Sequence, residues 1–153
     1  MAEIWFYHLE RQTLDEVLPN LLERTLERGW RAVVQAGTAE RLEAIDNLLW
    51  TYSVDSFLPH GSRREGNLEM QPVYLTEDES NPNGATVRFY VEGAAPLLSA
   101  GEADRYERLI YVFDGHDDQA VGRARETWKA AGGAGLTTTY WRQTERGGWE
   151  KQG

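Results

Sequence analysis

Cysteine is absent from this 153-residue chain, which excludes disulfides, thiolate metal sites and cysteine nucleophiles together and fits a reducing compartment. No stretch approaches the roughly eighteen apolar residues that a membrane-spanning helix needs. The start Met1-Ala2-Glu3-Ile4-Trp5 lacks the basic segment and apolar core of an export signal. The expectation is a soluble, cytoplasmic chain without a membrane partner. Basic residues are outnumbered, 16 against 25 acidic ones, for a net charge of -9. Such a body repels a phosphate backbone, so nucleic acid is expected as an indirect partner only. Catalytic signatures are missing too. His8, His60 and His116 are the only histidines, and none forms an H-E-x-x-H pair, while no serine sits in G-x-S-x-G. The G-x-x-x-x-G-K-[ST] pattern is absent, and Gly132-Gly133-Ala134-Gly135 follows a helical pattern instead of opening one. A phosphate cradle needs the reverse order, a glycine turn between a strand and a helix start. No internal repeats or low-complexity segments occur.

What is present is an alternation of strand and helix signals. Glu3 to Leu9 reads as a buried strand, and Leu14, Val17, Leu18, Leu21, Leu22, Thr25 and Leu26 recur on one helical face. Thr13 and Glu16 have capping-box spacing and Gly29 supplies a stop. Pro19 inside this helix is expected to bend it or shift its start. Trp30 to Ala36 is a second strand, and a second helix follows from Thr38 with Leu42, Ile45, Leu48 and Leu49 along one side. Pro72 to Thr76 and Ala85 to Glu92 read as strands, joined by a link too short for a parallel crossover. They form an antiparallel pair or are not neighbours. Tyr106, Leu109, Ile110 and Phe113 suggest a short third helix, Asp117 or Asp118 caps a further helix reaching Ala131, and Thr137 to Trp141 closes as a strand. The pattern predicts a three-layer α/β/α domain over 1–146 with a mainly parallel, possibly mixed, central sheet, and a flexible tail over 147–153. It resembles nucleotide-binding domains in architecture without their phosphate loop.

Two stretches stand out as binding candidates. Trp50, Phe57, Leu58 and Pro59 place an aromatic and aliphatic knob where a solvated connection belongs, so they either plug the core or dock onto a partner. Arg125, Trp128 and Lys129, three and four residues apart, share one helical face, with Val121 and Ala124 beside them as walls. That face suits a carboxylate next to an apolar side chain; the plainer reading turns Trp128 inward and leaves the cations to solvent. The charge distribution favours an acidic ligand there. Val121 to Lys151 carries six basic and three acidic residues, a balance of +3, which leaves -12 on the first 120 residues. The six Trp and seven Tyr also suit a binding surface.

Other readings stay open at this point. Asp114, His116, Asp117 and Asp118 form the tightest polar cluster and could hold a divalent ion through oxygen ligands, as in a metal-dependent phosphoester hydrolase or nuclease. Yet Asp117 and Asp118 stand where a helix cap belongs. A direct single-strand DNA-binding module would need the basic end of the chain to outweigh the acidic body.

Several blocks resemble a known family, the chi subunit of the bacterial DNA polymerase III holoenzyme. They are F-Y-H-L at Phe6 to Leu9, L-L-W-T-Y-S-V-D-S-F-L-P-H-G at Leu48 to Gly61, R-x-x-W-K at Arg125 to Lys129, T-Y-W at Thr139 to Trp141 and G-W-E-K at Gly148 to Lys151. G-W-R at Gly29 to Arg31, Q-P-V at Gln71 to Val73 and P-N-G-A at Pro82 to Ala85 extend the likeness in order along the chain. The resemblance implies a non-catalytic accessory subunit without cofactor or metal, at work at replication forks. It further implies that Arg125, Trp128 and Lys129 hold the acidic, phenylalanine-terminated tail of single-stranded DNA-binding protein. One basic position of that pattern, a helical turn earlier, is Val121 here. Trp50, Phe57, Leu58 and Pro59 match the family's contact to the psi subunit, which leads to the clamp loader, and to a repair-type helicase.

Overall fold

The structure, a computed structural model, describes residues 3–51, 60–62, 68–96, 103–146 and 148–152. Its elements in chain order are β1 (Glu3–Leu9), α1 (Leu14–Glu27), β2 (Ala32–Ala36), α2 (Ala39–Thr51), β3 (His60–Ser62), β4 (Val73–Thr76), β5 (Val87–Val91), β6 (Arg108–Asp114), α3 (Asp118–Gly133), β7 (Thr137–Gln143) and β8 (Trp149–Gln152). The strands make one sheet in the order β3-β4-β2-β5-β6-β1-β7-β8. Every pairing in it is parallel except β7 with β8.

Alternation along the strands builds the layers, because successive side chains leave a strand on opposite faces. Tyr7 and Leu9 of β1, Ile110 and Val112 of β6, and Val34 of β2 pack with Val17, Leu18, Leu22, Ile45 and Leu49 of α1 and α2. Ile4 and Phe6, Leu109, Tyr111 and Phe113 face the other way and pack with Ala120, Ala124 and Ala131 of α3. The result is the three-layer α/β/α arrangement read from the sequence.

Local signals set the helix ends. The Thr13 amide donates to Glu16 Oε1 at 3.2 Å in a capping box, and Gly29 adopts φ +80° just past the last turn of α1. That helix starts at Leu14 and runs through Pro19, which is buried.

One expectation changes, and one of two open readings is selected. The segment expected as a third helix is β6, a seven-residue strand with five residues buried in a row. A parallel strand covered on both faces is apolar at nearly every position, so its residues also match helical spacing. The strands flanking the polar run Glu77 to Gly84 are not neighbours: β2 lies between β4 and β5 and is parallel to both. Within the expected tail, Trp149–Gln152 pair antiparallel with Tyr140–Gln143 as β8, and the Trp149 ring meets Tyr7 at 4.8 Å.

Candidate functional site

At the carboxyl ends of the neighbouring strands β1 and β6 the chain leaves towards opposite faces, into α1 and α3. Ligands of open α/β sheets bind at such a switch point. A crevice of about 720 Å³ lies there, lined among others by Glu10, Arg11, Gln12, Asp114, His116 and Asp117. Several of its polar groups are already engaged. The amides of Glu10, Arg11 and Gln12 all donate to Gln143 Oε1, at 2.9, 2.8 and 3.1 Å. A backbone nest of the kind that holds phosphate elsewhere is thus filled by the chain's own side chain. Asp117 Oδ1 accepts from the Gln119 and Ala120 amides at 3.0 and 3.3 Å and Asp114 Oδ1 from the His116 amide at 2.9 Å, so these carboxylates organise the start of α3. Among the described residues no cluster of three or more His, Asp or Glu is arranged to hold a metal ion.

Further along α3 the surroundings differ. The buried stripe Ala120, Ala124 and Ala131 is made of small side chains, which lets the helix lie close on the sheet. Val121 and Trp128, at the border of this stripe, are partly buried, while Arg125 and Lys129 are exposed. The Trp128 ring packs 5.3 Å from Phe6 and 5.5 Å from Tyr140, edge-on to the latter at 74°. Trp128 therefore combines an inward contact with a partly open ring, on a helical face that also carries two cations. Neither Arg125 nor Lys129 has a carboxylate partner among the described residues.

Sequence reasoning missed the floor of this face. His8, 8% exposed, and Tyr140 come from neighbouring strands, and His8 Nδ1 lies 2.5 Å from the Tyr140 hydroxyl. Burial pushes His8 below its ordinary value, partly opposed by Glu10, and it pushes Tyr140 up. Both are neutral at neutral pH. Glu10 is held below the usual carboxylate range chiefly by its hydrogen bond from Arg142, whose guanidinium reaches it at 2.6 Å. The strand parity of T-T-Y-W, which sets Tyr140 and Trp141 on opposite faces, is the one sequence signal that bears on this floor.

At the other end of the sheet Trp50 is 52% exposed near the end of α2, its ring 4.6 Å from that of His60. The His60 side chain is itself enclosed and faces Asp46 at 3.1 Å. Phe57, Leu58 and Pro59 lie outside the described residues.

Comparison with known proteins gives a consistent result. The family model described as DNA polymerase III chi subunit, HolC, matches residues 1–139. A curated protein from Rickettsia prowazekii (strain Madrid E), named probable DNA polymerase III subunit chi, is 27% identical over 117 residues, covering 74% of this chain and 71% of its own length.

Proposed function

Since the chain belongs to the DNA polymerase III chi subunit family, we propose that it links the clamp-loader side of the replicase to single-stranded DNA-binding protein by gripping that protein's acidic carboxyl-terminal tail. The supporting observation is the pair of cations without carboxylate partners among the described residues, Arg125 and Lys129, on the same helical face as a partly exposed Trp128. The cations meet the tail's carboxylates, and Trp128 and Val121 meet its terminal phenylalanine. The protein's part is a scaffold's; nucleotide polymerisation belongs to other subunits.

A charge-assisted hydrogen bond at a partly exposed site contributes about 1 to 3 kcal/mol. Arg125→Ala is therefore expected to weaken binding of a fluorescent tail peptide by about tenfold or more. Raised salt should shrink the difference between the two proteins, because exposed charges are screened. Equal affinities for both proteins would remove Arg125 from the site.

The second contact of the proposal joins the Trp50, Phe57, Leu58 and Pro59 surface to a psi subunit, a clamp-loader protein or a repair-type helicase. The exposure of Trp50 supports it. A half-exposed ring contributes little to folding, so Trp50→Ala should change unfolding stability by less than about 1 kcal/mol while a pull-down from the source cell loses a partner. A larger loss of stability, or an unchanged set of captured proteins, would place the contact elsewhere. The same pair of measurements on Phe57→Ala separates a docking knob from a core plug, since a buried phenylalanine would cost about 3 to 5 kcal/mol.

A further inference from the structure

The floor under α3 carries a hydrogen bond whose direction depends on one proton. His8 Nδ1 faces the Tyr140 hydroxyl at 2.5 Å, and its Nε2 faces Glu10 Oε1 at 3.6 Å. The site is built for this ring: a Cβ on Gly115 would collide with the His8 imidazole and the Leu9 carbonyl, so only glycine leaves room. With the Glu10 carboxylate on its Nε2 side, neutral His8 keeps its proton there and accepts the Tyr140 hydroxyl hydrogen at Nδ1. The phenol then has no hydrogen left for a ligand. When His8 takes up a second proton, both ring nitrogens become donors. Nδ1 then donates to the phenol oxygen, and the phenol hydrogen is released outward, next to Trp128.

We propose that Tyr140 is a further contact residue of the α3 face, and that His8, acting through it as a positioning residue, makes the grip on an acidic peptide tighten in mild acid. This rests on the peptide-binding reading of Arg125, Trp128 and Lys129. The groups around His8 are Glu10 beyond the end of β1, Tyr140 and Arg142 on β7, His116 after β6 and Arg125 on α3. Protonation adds a positive charge near Arg125 and frees one hydroxyl donor, and both changes favour a carboxylate ligand. Burial and the neighbouring cations oppose the proton in the free protein. A bound carboxylate favours it, so ligand and proton reinforce each other. The ligand's own carboxylates stay largely ionised at pH 5.

The test is titration of an acidic, phenylalanine-ended peptide into the full chain at pH 7.5 and pH 5.0 at constant ionic strength. The unaltered protein is expected to bind about three- to tenfold more tightly at pH 5.0. Tyr140→Phe keeps the ring against Trp128 and should abolish that gain, as should His8→Gln. His116→Gln should retain it, which separates His8 from the other histidine nearby. Circular dichroism at both pH values establishes that each variant is folded. A pH-independent affinity in the unaltered protein, with Arg125→Ala still weakened, would overturn this inference and leave the peptide-binding reading standing. Retention of the gain in Tyr140→Phe would overturn it equally. Absence of binding at both pH values would overturn the reading and the inference together.

Discussion

Replacing Arg88 by alanine is expected to lower the unfolding free energy by about 3 to 5 kcal/mol, the combined consequence of a large-to-small change in the core and of buried acceptors left without donors. Arg88 is 1% exposed, one residue into β5. Its Nε and Nη2 donate to Gln35 Oε1 at 3.0 and 2.6 Å, which ties β5 to β2 through side chains as well as backbone. Nη2 also donates to the Asp78 carbonyl at 2.5 Å, and Nη1 donates to the Ser80 carbonyl at 2.8 Å and the Tyr106 hydroxyl at 3.2 Å. The rings of Tyr90 and Tyr106 flank the guanidinium at 5.8 and 6.0 Å. Alanine would leave a cavity and several buried acceptors without donors, and each such orphan is costly. Chemical denaturation of the purified variant measures the change from the shift in midpoint at constant slope. A loss below about 1 kcal/mol would mean that water replaces the guanidinium without penalty.

The loop that Arg88 holds has its own pH dependence. Hydrogen bonds from Ser80 and Thr76 bring the Asp78 carboxyl down to about 2. A group depressed in the folded state adds stability that is present above its unfolded value and is lost as pH falls through the folded one. The stability that Asp78 contributes should accordingly fade between about pH 4 and pH 2.

The residues that could be read from the sequence are those whose partners lie within a few positions along the chain. Thr13 with Glu16, the cap at Asp117 and the face shared by Arg125, Trp128 and Lys129 are all of that kind. The central strand β6 reads as a helix for the opposite reason. Its environment is set by strands β1 and β5, which are distant in sequence, and full burial erases the alternation that marks a half-buried strand. Arg88 in V-R-F-Y-V looks like an outward polar residue until Gln35, fifty-three positions away, and the turn around Ser80 close over it. Gln143 looks like the polar end of a strand, yet it is 4% exposed and satisfies the amides of Glu10, Arg11 and Gln12 more than 130 positions away. The candidate site divides along the same line. Its cationic rim lies on one helix and was legible, whereas its floor joins His8 to Tyr140 across 132 positions and was not.

Deleting the terminal phenylalanine from the tail peptide is expected to cost on the order of 2 to 4 kcal/mol of binding, the range of a buried aromatic anchor. The face offers the means: Trp128 stands edge-on to Tyr140 with Val121 half-buried about two helical turns away, so a ligand ring has aromatic and aliphatic surface to cover. This loss should change little with salt, because apolar burial is not screened, whereas the contribution of Arg125 should shrink. Calorimetric titration of the intact tail peptide and of the same peptide without its phenylalanine, both against the full chain, tests the central claim most directly. The account predicts saturable binding of the intact peptide and an affinity lower by about thirtyfold or more for the shortened one. Equal affinities, or no binding of the intact peptide, would contradict it.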